Sequence, residues 1–421
     1  MPVAFVDVTV VPMDREQLLP HRTVLVDGSH IVTIGPMDTF PLPPETVTIA
    51  GDGRYLMPGL ADMHVHLHDE SMLALFLVNG ITTVRNMWGK PDHLERRDRI
   101  ERGVLLGPSI VTAGPICDGS PPVWPGSTVI TSAADAERAV AGQQQTGYDF
   151  IKVYNNLSRA AYDGLIDAAG QRDIPVAGHV PQAVGLRSVL EAGQSSIEHL
   201  QGYCSPLGRV PPIVEELGLS SVAQATRAAG TWNCVTLILR ERMVSVAQSE
   251  ELFARPEMRY VPAATRAFWD ARTDDSIRNA SPADWDRVRR GNALRKALTL
   301  ELRDAGAGLL LGTDTPNRLV TPGFALHDEL AHLVDAGLTP YEAIRAGTHD
   351  AATFLGAAAE WGTVQAGRRA DLLLLDGNPL EDVAHAAHPI GVMVRGQWLP
   401  RPRLDLMLED LATADEETHP A

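Results

Sequence analysis

The chain has 421 residues, of which 44% are hydrophobic and 21% charged, a composition with ample material for a large core and no disorder-like depletion. A formal net charge of −17, with no Lys/Arg cluster running against it, repels phosphate backbones and argues against a nucleic-acid partner. Three cysteines, Cys117, Cys204 and Cys234, lack CxxC spacing, so they suggest neither a disulfide framework nor a thiolate metal site and fit a reducing compartment.

The opening M-P-V-A-F-V-D-V-T-V-V-P is a short β-like run without a basic leader region, and no apolar stretch approaches membrane-spanning length. The expectation is a cytoplasmic protein with no membrane partner. Up to residue 53, β-branched runs alternate with turn residues, and A-D-L-L-L-L-D-G-N-P and I-G-V-M-V-R-G-Q-W read the same way near the other end. Residues 1–56 and 362–421 are therefore expected to share one small β-sandwich domain, the second part including a tail, around a catalytic domain at 57–361.

Within that central stretch short apolar runs alternate with helical patterns, the form of repeated βα units around a parallel sheet. Eight strand candidates begin near Leu60, Ile81, Ile110, Phe150, Pro175, Ser196, Trp232 and Leu309, which is the count of a (β/α)8 TIM barrel in an α/β fold. Ser158 is placed to cap a helix ending at Gly170, and Thr339, Pro340 and Glu342 form a capping box. Residues 239–303 exceed one barrel connection and read as a helical insertion. It is either part of a lid or pocket wall, or an outer decoration or contact within a homo-oligomer.

Chemistry concentrates at the strand ends. In P-G-L-A-D-M-H-V-H-L-H, alternation sends the imidazoles of His64 and His66 to one side, where two nitrogens converge as metal ligands; two structural histidines would look the same. His68 lies one step further, beyond the strand end. Lys152, in Y-D-F-I-K-V-Y, is flanked by apolar residues that make an unpaired ammonium costly to bury. It is either salt-bridged or neutral enough to react with carbon dioxide. His179 and His199 each end an apolar run, as core histidines also do, and Asp314 in L-L-L-G-T-D-T-P is either a catalytic carboxylate or a turn residue ahead of Pro316.

As an ordered set, V-D-G-S-H-I-V-T-I-G, P-G-L-A-D-M-H-V-H-L, I-K-V-Y, G-H-V-P, S-I-E-H-L, L-G-T-D-T and G-R-R-A-D-L-L-L-L-D-G-N-P resembles the amidohydrolase superfamily over nearly the whole chain. The likeness is to its binuclear-metal branch of prolidase-like and imidazolonepropionase-like amide hydrolases. The resemblance implies two zinc ions, with His64, His66 and Asp314 on one, His179 and His199 on the other, and a carbamate on Lys152 bridging them together with a hydroxide. It further implies that Asp314 takes the hydroxide proton and passes it to the leaving nitrogen.

On this resemblance the substrate is a small peptide-like amide such as an N-acyl amino acid or dipeptide. Hydrolysis of a cyclic amide or lactone is the alternative, and a non-catalytic scaffold, which would lack several ligands, the remotest. Deaminating relatives generally use one metal without the strand-four lysine, so Lys152 counts against deamination. Prolidase-like relatives commonly carry tyrosine where this chain has Val180; Tyr154, on the Lys152 face of its strand, offers a substitute hydroxyl or simple packing. His327 in P-G-F-A-L-H-D-E-L resembles a substrate-touching histidine of the branch but also suits helix capping. Arg240 or Arg272 offers a bidentate contact to a substrate carboxylate.

Overall fold

A computed structural model describes residues 1–204, 212–244, 246–270 and 274–418. Strands form at all eight expected positions: Leu60–Val65, Ile81–Asn86, Ser109–Thr112, Ile151–Val153, Val176–Gly178, Ser196–Glu198, Trp232–Cys234 and Leu309–Leu310. We number them one to eight. Strands one to three make one parallel sheet and four to eight lie in another, which also takes in Cys117–Asp118 and Thr128–Val129 from the loop after strand three. Parallel neighbours need crossovers, and helices supply them, giving a TIM-barrel-type α/β fold.

The two sheets touch at both edges. Ala113 bridges Phe150 between strands three and four, and Val65 bridges Thr315 just past strand eight. Beside the second bridge, Met63 N–H donates to the Leu311 carbonyl at 2.9 Å and Asp314 N–H to the His64 carbonyl at 2.8 Å. Residues more than two hundred positions apart in the chain thus become neighbours at one strand-end cluster.

Local chemistry starts the helices where expected. The Ser158 hydroxyl accepts from Ala161 N–H to open Arg159–Gly170, and Thr339 with Glu342 caps Pro340–Ala346 reciprocally. The described part of residues 239–303 contains several helices, the last of which belongs elsewhere. Ser281 and Asp284 form a capping box for Pro282–Asp304, a 23-residue helix packed against Leu219–Ala229 and Phe324–Asp335 that runs into strand eight as its crossover. The inserted part is the shorter stretch before it.

The two chain ends share an eight-stranded sheet that forks at Val3–Val10: one side pairs with Leu19–Asp27, the other with both Val47–Ala50 and Tyr55–Pro58. Leu372–Leu375 runs antiparallel to Tyr55–Pro58 and brings in the C-terminal strands. The pairing of Tyr55–Pro58 carries the terminal sheet to Pro58, two residues past the expected limit. Beyond that sheet Arg401–Thr418 forms a helix packed on Ser71–Val78.

Candidate metal centre

Six side chains expected at the site come from five strand ends and meet. Asp314 Oδ1 lies 3.3 Å from His64 Nε2 and 3.0 Å from His66 Nε2, while its Oδ2 is 3.7 Å from His199 Nε2. The His199 ring is centred 4.5 Å from that of His64 and 5.2 Å from that of His179. His199 and Asp314 hold positive φ angles of 61° and 65°, a costly conformation for residues with a Cβ, and backbone bonds to Cys234 and His64 retain them in it. Lys152 is buried on strand four, and its Nζ has no hydrogen-bond partner among the described residues.

Glycines make room for this convergence at two points. A Cβ on Gly178, whose φ is 137°, would meet the Val153 carbonyl oxygen at 2.3 Å and Lys152 Cδ at 3.1 Å. One on Gly312 would meet Cys234 Sγ at 2.5 Å and the His64 nitrogen at 2.9 Å. Both lie directly beneath ligand candidates, where only a residue without a side chain lets the strands approach.

Three of the four histidines are oriented from behind. Glu198 Oε2 accepts from His64 Nδ1 at 2.7 Å, the Asn155 side-chain Oδ1 accepts from His179 Nδ1 at 2.8 Å, and His199 Nδ1 pairs with Thr236 Oγ1 at 2.7 Å. These contacts leave the Nε2 atoms for the centre, an arrangement that fixes tautomer and ring angle as at metal sites. Glu198 is itself held by Arg85 Nη2 at 2.9 and 3.0 Å and by Ser196 Oγ at 2.6 Å, all buried. Cys234 lies close enough to His64 and Glu198 to form a second candidate group, but burial pushes its thiol well above the ordinary range and Glu198 is already engaged. We read that group as the support of His64.

The electrostatics suit cations. Burial holds the His66, His179 and His199 imidazoles below their ordinary values, which favours the neutral form with a lone pair to offer. Burial pushes the Asp314 carboxyl up, but His199, His64 and His66 outweigh it and hold the group well below the carboxylate range. Burial lowers Lys152 to about 8, against the pull of Glu198 and Asp314. Among the described residues, His64, His66 and Asp314 form a cluster with metal-ligand spacing. Neutral imidazoles, an ionised carboxylate and an orphaned lysine nitrogen fit a divalent metal centre.

The expected outer contacts divide. Tyr154 is at the site: its ring stacks on His179 with centroids 4.0 Å apart, and its hydroxyl accepts from Trp124 Nε1 at 2.8 Å. His327 is not brought there, and the expectation of substrate contact is corrected. Its Nε2 bonds the Asn79 carbonyl at 3.0 Å, in a cavity of about 780 Å³ on the flank of the barrel shared with Asp328 and His388. The first-turn position of His327 on its helix set that direction. Val180 is buried under Gly202. His68 is exposed.

Arg240, on the short helix Leu237–Glu241 after strand seven, is half-buried and close enough to Asp314 and Tyr154 to feel their charges. Burial, with Arg295 next, lowers its guanidinium. It makes no ion pair among the described residues, and its Nε has no partner. Arg272 lies outside the described residues.

Sequence reasoning missed Glu198, Arg85, Asn155 and Thr236. Glu198 and Arg85 did carry a signal, since each is a charge inside an otherwise apolar strand and must find a partner. Asn155 and Thr236 carried none.

The model of the amidohydrolase family matches residues 55–399. The chain belongs to that family. Among solved structures, bottromycin amidohydrolase superposes with a TM-score of 0.82 at 28% identity, covering 98% of this chain and 90% of that one. A putative prolidase from Bifidobacterium longum gives 0.76 at 24%, covering 97% and 98%, a likeness of fold. Curated relatives include an adenine deaminase of Ruegeria sp. (strain TM1040), 24% identical over 86% of this chain, and an ochratoxinase of Aspergillus niger, 23% identical over 80% of it and 73% of its own length. The chain spans 52% of the length of that deaminase. Within the amidohydrolase family, then, the cluster at the strand ends is the candidate active site.

Proposed function

We propose that this protein is a metal-dependent hydrolase cleaving an amide C–N bond in a small peptide-like substrate that bears a carboxylate, such as an N-acyl amino acid or dipeptide. The observation that carries this is the convergence of four imidazoles, Asp314 and a partnerless buried lysine nitrogen. In the same reading the eight strands close into one barrel and the terminal sheet folds into a sandwich.

His64, His66 and Asp314 would hold one divalent ion, His179 and His199 another, with zinc suited to imidazole ligands. Neutral Lys152 would add carbon dioxide through Nζ, forming an N–C bond and releasing a proton, and the resulting carboxylate would help to hold the ions. Bound divalent ions would lower the pKa of a water towards neutrality and polarise the scissile carbonyl. Asp314 would accept the proton of the attacking water on its carboxylate and deliver it to the leaving nitrogen. Glu198, Asn155 and Thr236 keep the histidines aligned throughout. Arg240 binds the substrate carboxylate, which supplies the ion-pair partner that its guanidinium, bonded only to Met243 Sδ through Nη1, lacks among the described residues.

The test is an assay of zinc-loaded enzyme against N-acyl amino acids, dipeptides, their C-terminal amides and lactones, with chelated enzyme as control. Free-acid amides should be cleaved and their amidated forms disfavoured. Activity confined to lactones, or unaffected by chelation, would overturn the reading. Metal content supplies a second check: Lys152→Ala should lose at least one of two ions per chain unless a small carboxylic acid is supplied, and an unchanged stoichiometry sinks the lysine bridge.

A further inference from the structure

The mouth of the centre is unlike on its two sides. On the side of strands two to four, aromatic rings follow one another. Trp88, just past strand two, stands edge-on to His66 with centroids 6.5 Å apart; Trp124, from the loop after strand three, lies 6.2 Å from Trp88; and its Nε1 donates to Tyr154, whose ring stacks on His179. This wall begins and ends on candidate ligands.

The loop presenting Trp124 is fixed rather than loose. The buried Asp118 carboxylate accepts from the N–H groups of Gly119 (2.8 Å), Val123 (2.9 Å) and Asn156 (2.7 Å), and Asn156 Nδ2 donates to the Pro121 carbonyl at 2.8 Å. A loop pinned this firmly nevertheless holds Trp124 47% exposed and Val123 43% exposed at the catalytic end of the strands. Large apolar surface kept in water on a rigid support is the mark of a binding surface. Because Tyr154 occupies the indole N–H, the wall offers carbon faces to a ligand.

Which half of the substrate lies there follows from proton delivery. Asp314 protonates the leaving nitrogen from strand eight, and Arg240 stands on the adjacent strand-seven side, so the leaving amino acid occupies that side. The acyl half must then point towards strands two to four. We infer that Trp88 and Trp124 form an acyl-side subsite selecting a flat aromatic acyl group, which makes N-aroyl amino acids the preferred substrate class. The inference rests on the amide-hydrolase reading above. A free α-ammonium would also be attracted to indole faces, but the neighbouring carboxylate, Asp118, is already engaged by three backbone donors and gives it no counter-charge.

Three amides of alanine, N-acetyl, N-(1-naphthoyl) and glycyl, separate the possibilities. In the wild type, kcat/KM for the naphthoyl amide should exceed that for the acetyl amide by about ten-fold or more. Trp124→Ala should reduce this advantage to within about three-fold, and Trp124→Phe should keep most of it. Equal rates for the two acyl groups, an equal loss of both in Trp124→Ala, or preference for the glycyl substrate overturns the inference. Turnover of none of the three would instead strike the amide-hydrolase reading. Titration of the metal-loaded protein with 1-naphthoate, followed by tryptophan fluorescence, then decides the subsite by itself: saturable quenching weakened by Trp124→Ala supports it, and no saturable change refutes it.

Discussion

The ligand cluster and the segment after strand seven are both lined with charge at the same end of the barrel, but they are built in opposite ways. In the cluster three of the four imidazoles, those of His64, His179 and His199, have an orienting partner behind them, and the buried Glu198 is held by Arg85, Ser196 and His64 together. Across the mouth, Arg240 sits on a five-residue helix with its Nε unpartnered, and what stabilises it acts on the backbone: Glu329, from Phe324–Asp335, accepts from the N–H groups of Leu237 and Ile238 at 2.8 and 2.7 Å. A centre that must keep fixed angles is enclosed in paired groups, whereas a group meant for a ligand is left incomplete. On the proposed reading the completing partner arrives with the substrate.

Substitutions can break or sharpen that contrast. The largest effect is expected from Asp314→Asn, which should retain metal, measured by metal analysis, yet lose turnover by about 100-fold or more because an amide cannot accept the proton. Normal activity would remove Asp314 from its role. Next, Glu198→Ala leaves Arg85 buried and uncompensated and frees the His64 ring; a loss of about 3–5 kcal/mol in denaturant unfolding is expected, with weaker metal affinity. Arg240→Met, by contrast, should leave stability unchanged or improve it while raising KM for free-acid substrates by about 10- to 100-fold, with amidated analogues indifferent. If Arg240→Met destabilises the fold as Glu198→Ala does, the two regions are not built differently.

The smallest effect concerns Glu329. Burial pushes its carboxyl from 4.5 up to about 8, although the two backbone donors oppose the rise. The folded protein therefore keeps a proton that the unfolded chain releases above pH 4.5, so this group's stabilising contribution is complete below that pH and is lost as pH rises through about 8. Unfolding free energies of the wild type relative to Glu329→Gln should decline between pH 5 and 8. A difference independent of pH would show that Glu329 is ionised throughout.

The ligand set was legible because it depends on short-range pattern. His64 and His66 share a strand face, Lys152 interrupts an apolar run, and His179, His199 and Asp314 each end one; eight such runs alternating with helical patterns state the barrel phase. The helix starts at Ser158 and Thr339 were equally local, since a cap needs only the next few residues. His327 shows where local pattern stops: a histidine one turn into a helix after strand eight has the right sequence context, yet its contact is with Asn79, 248 positions away.

Alternation and strand ends, which repeat over a few residues, are written into the chain; so this protein's fold class and ligand candidates follow from its residues alone. The partners of those ligands do not, because Glu198 meets His64 across 134 positions, Thr236 meets His199 across 37 and Glu329 meets Leu237 across 92. The same holds for the mouth, where Trp88, Trp124 and Tyr154 become one wall, and for the long helix Pro282–Asp304, which packing assigns to the barrel rather than to the insertion. Such contacts are fixed by how strands and helices close on one another, and that closure is decided by burial summed over the whole core.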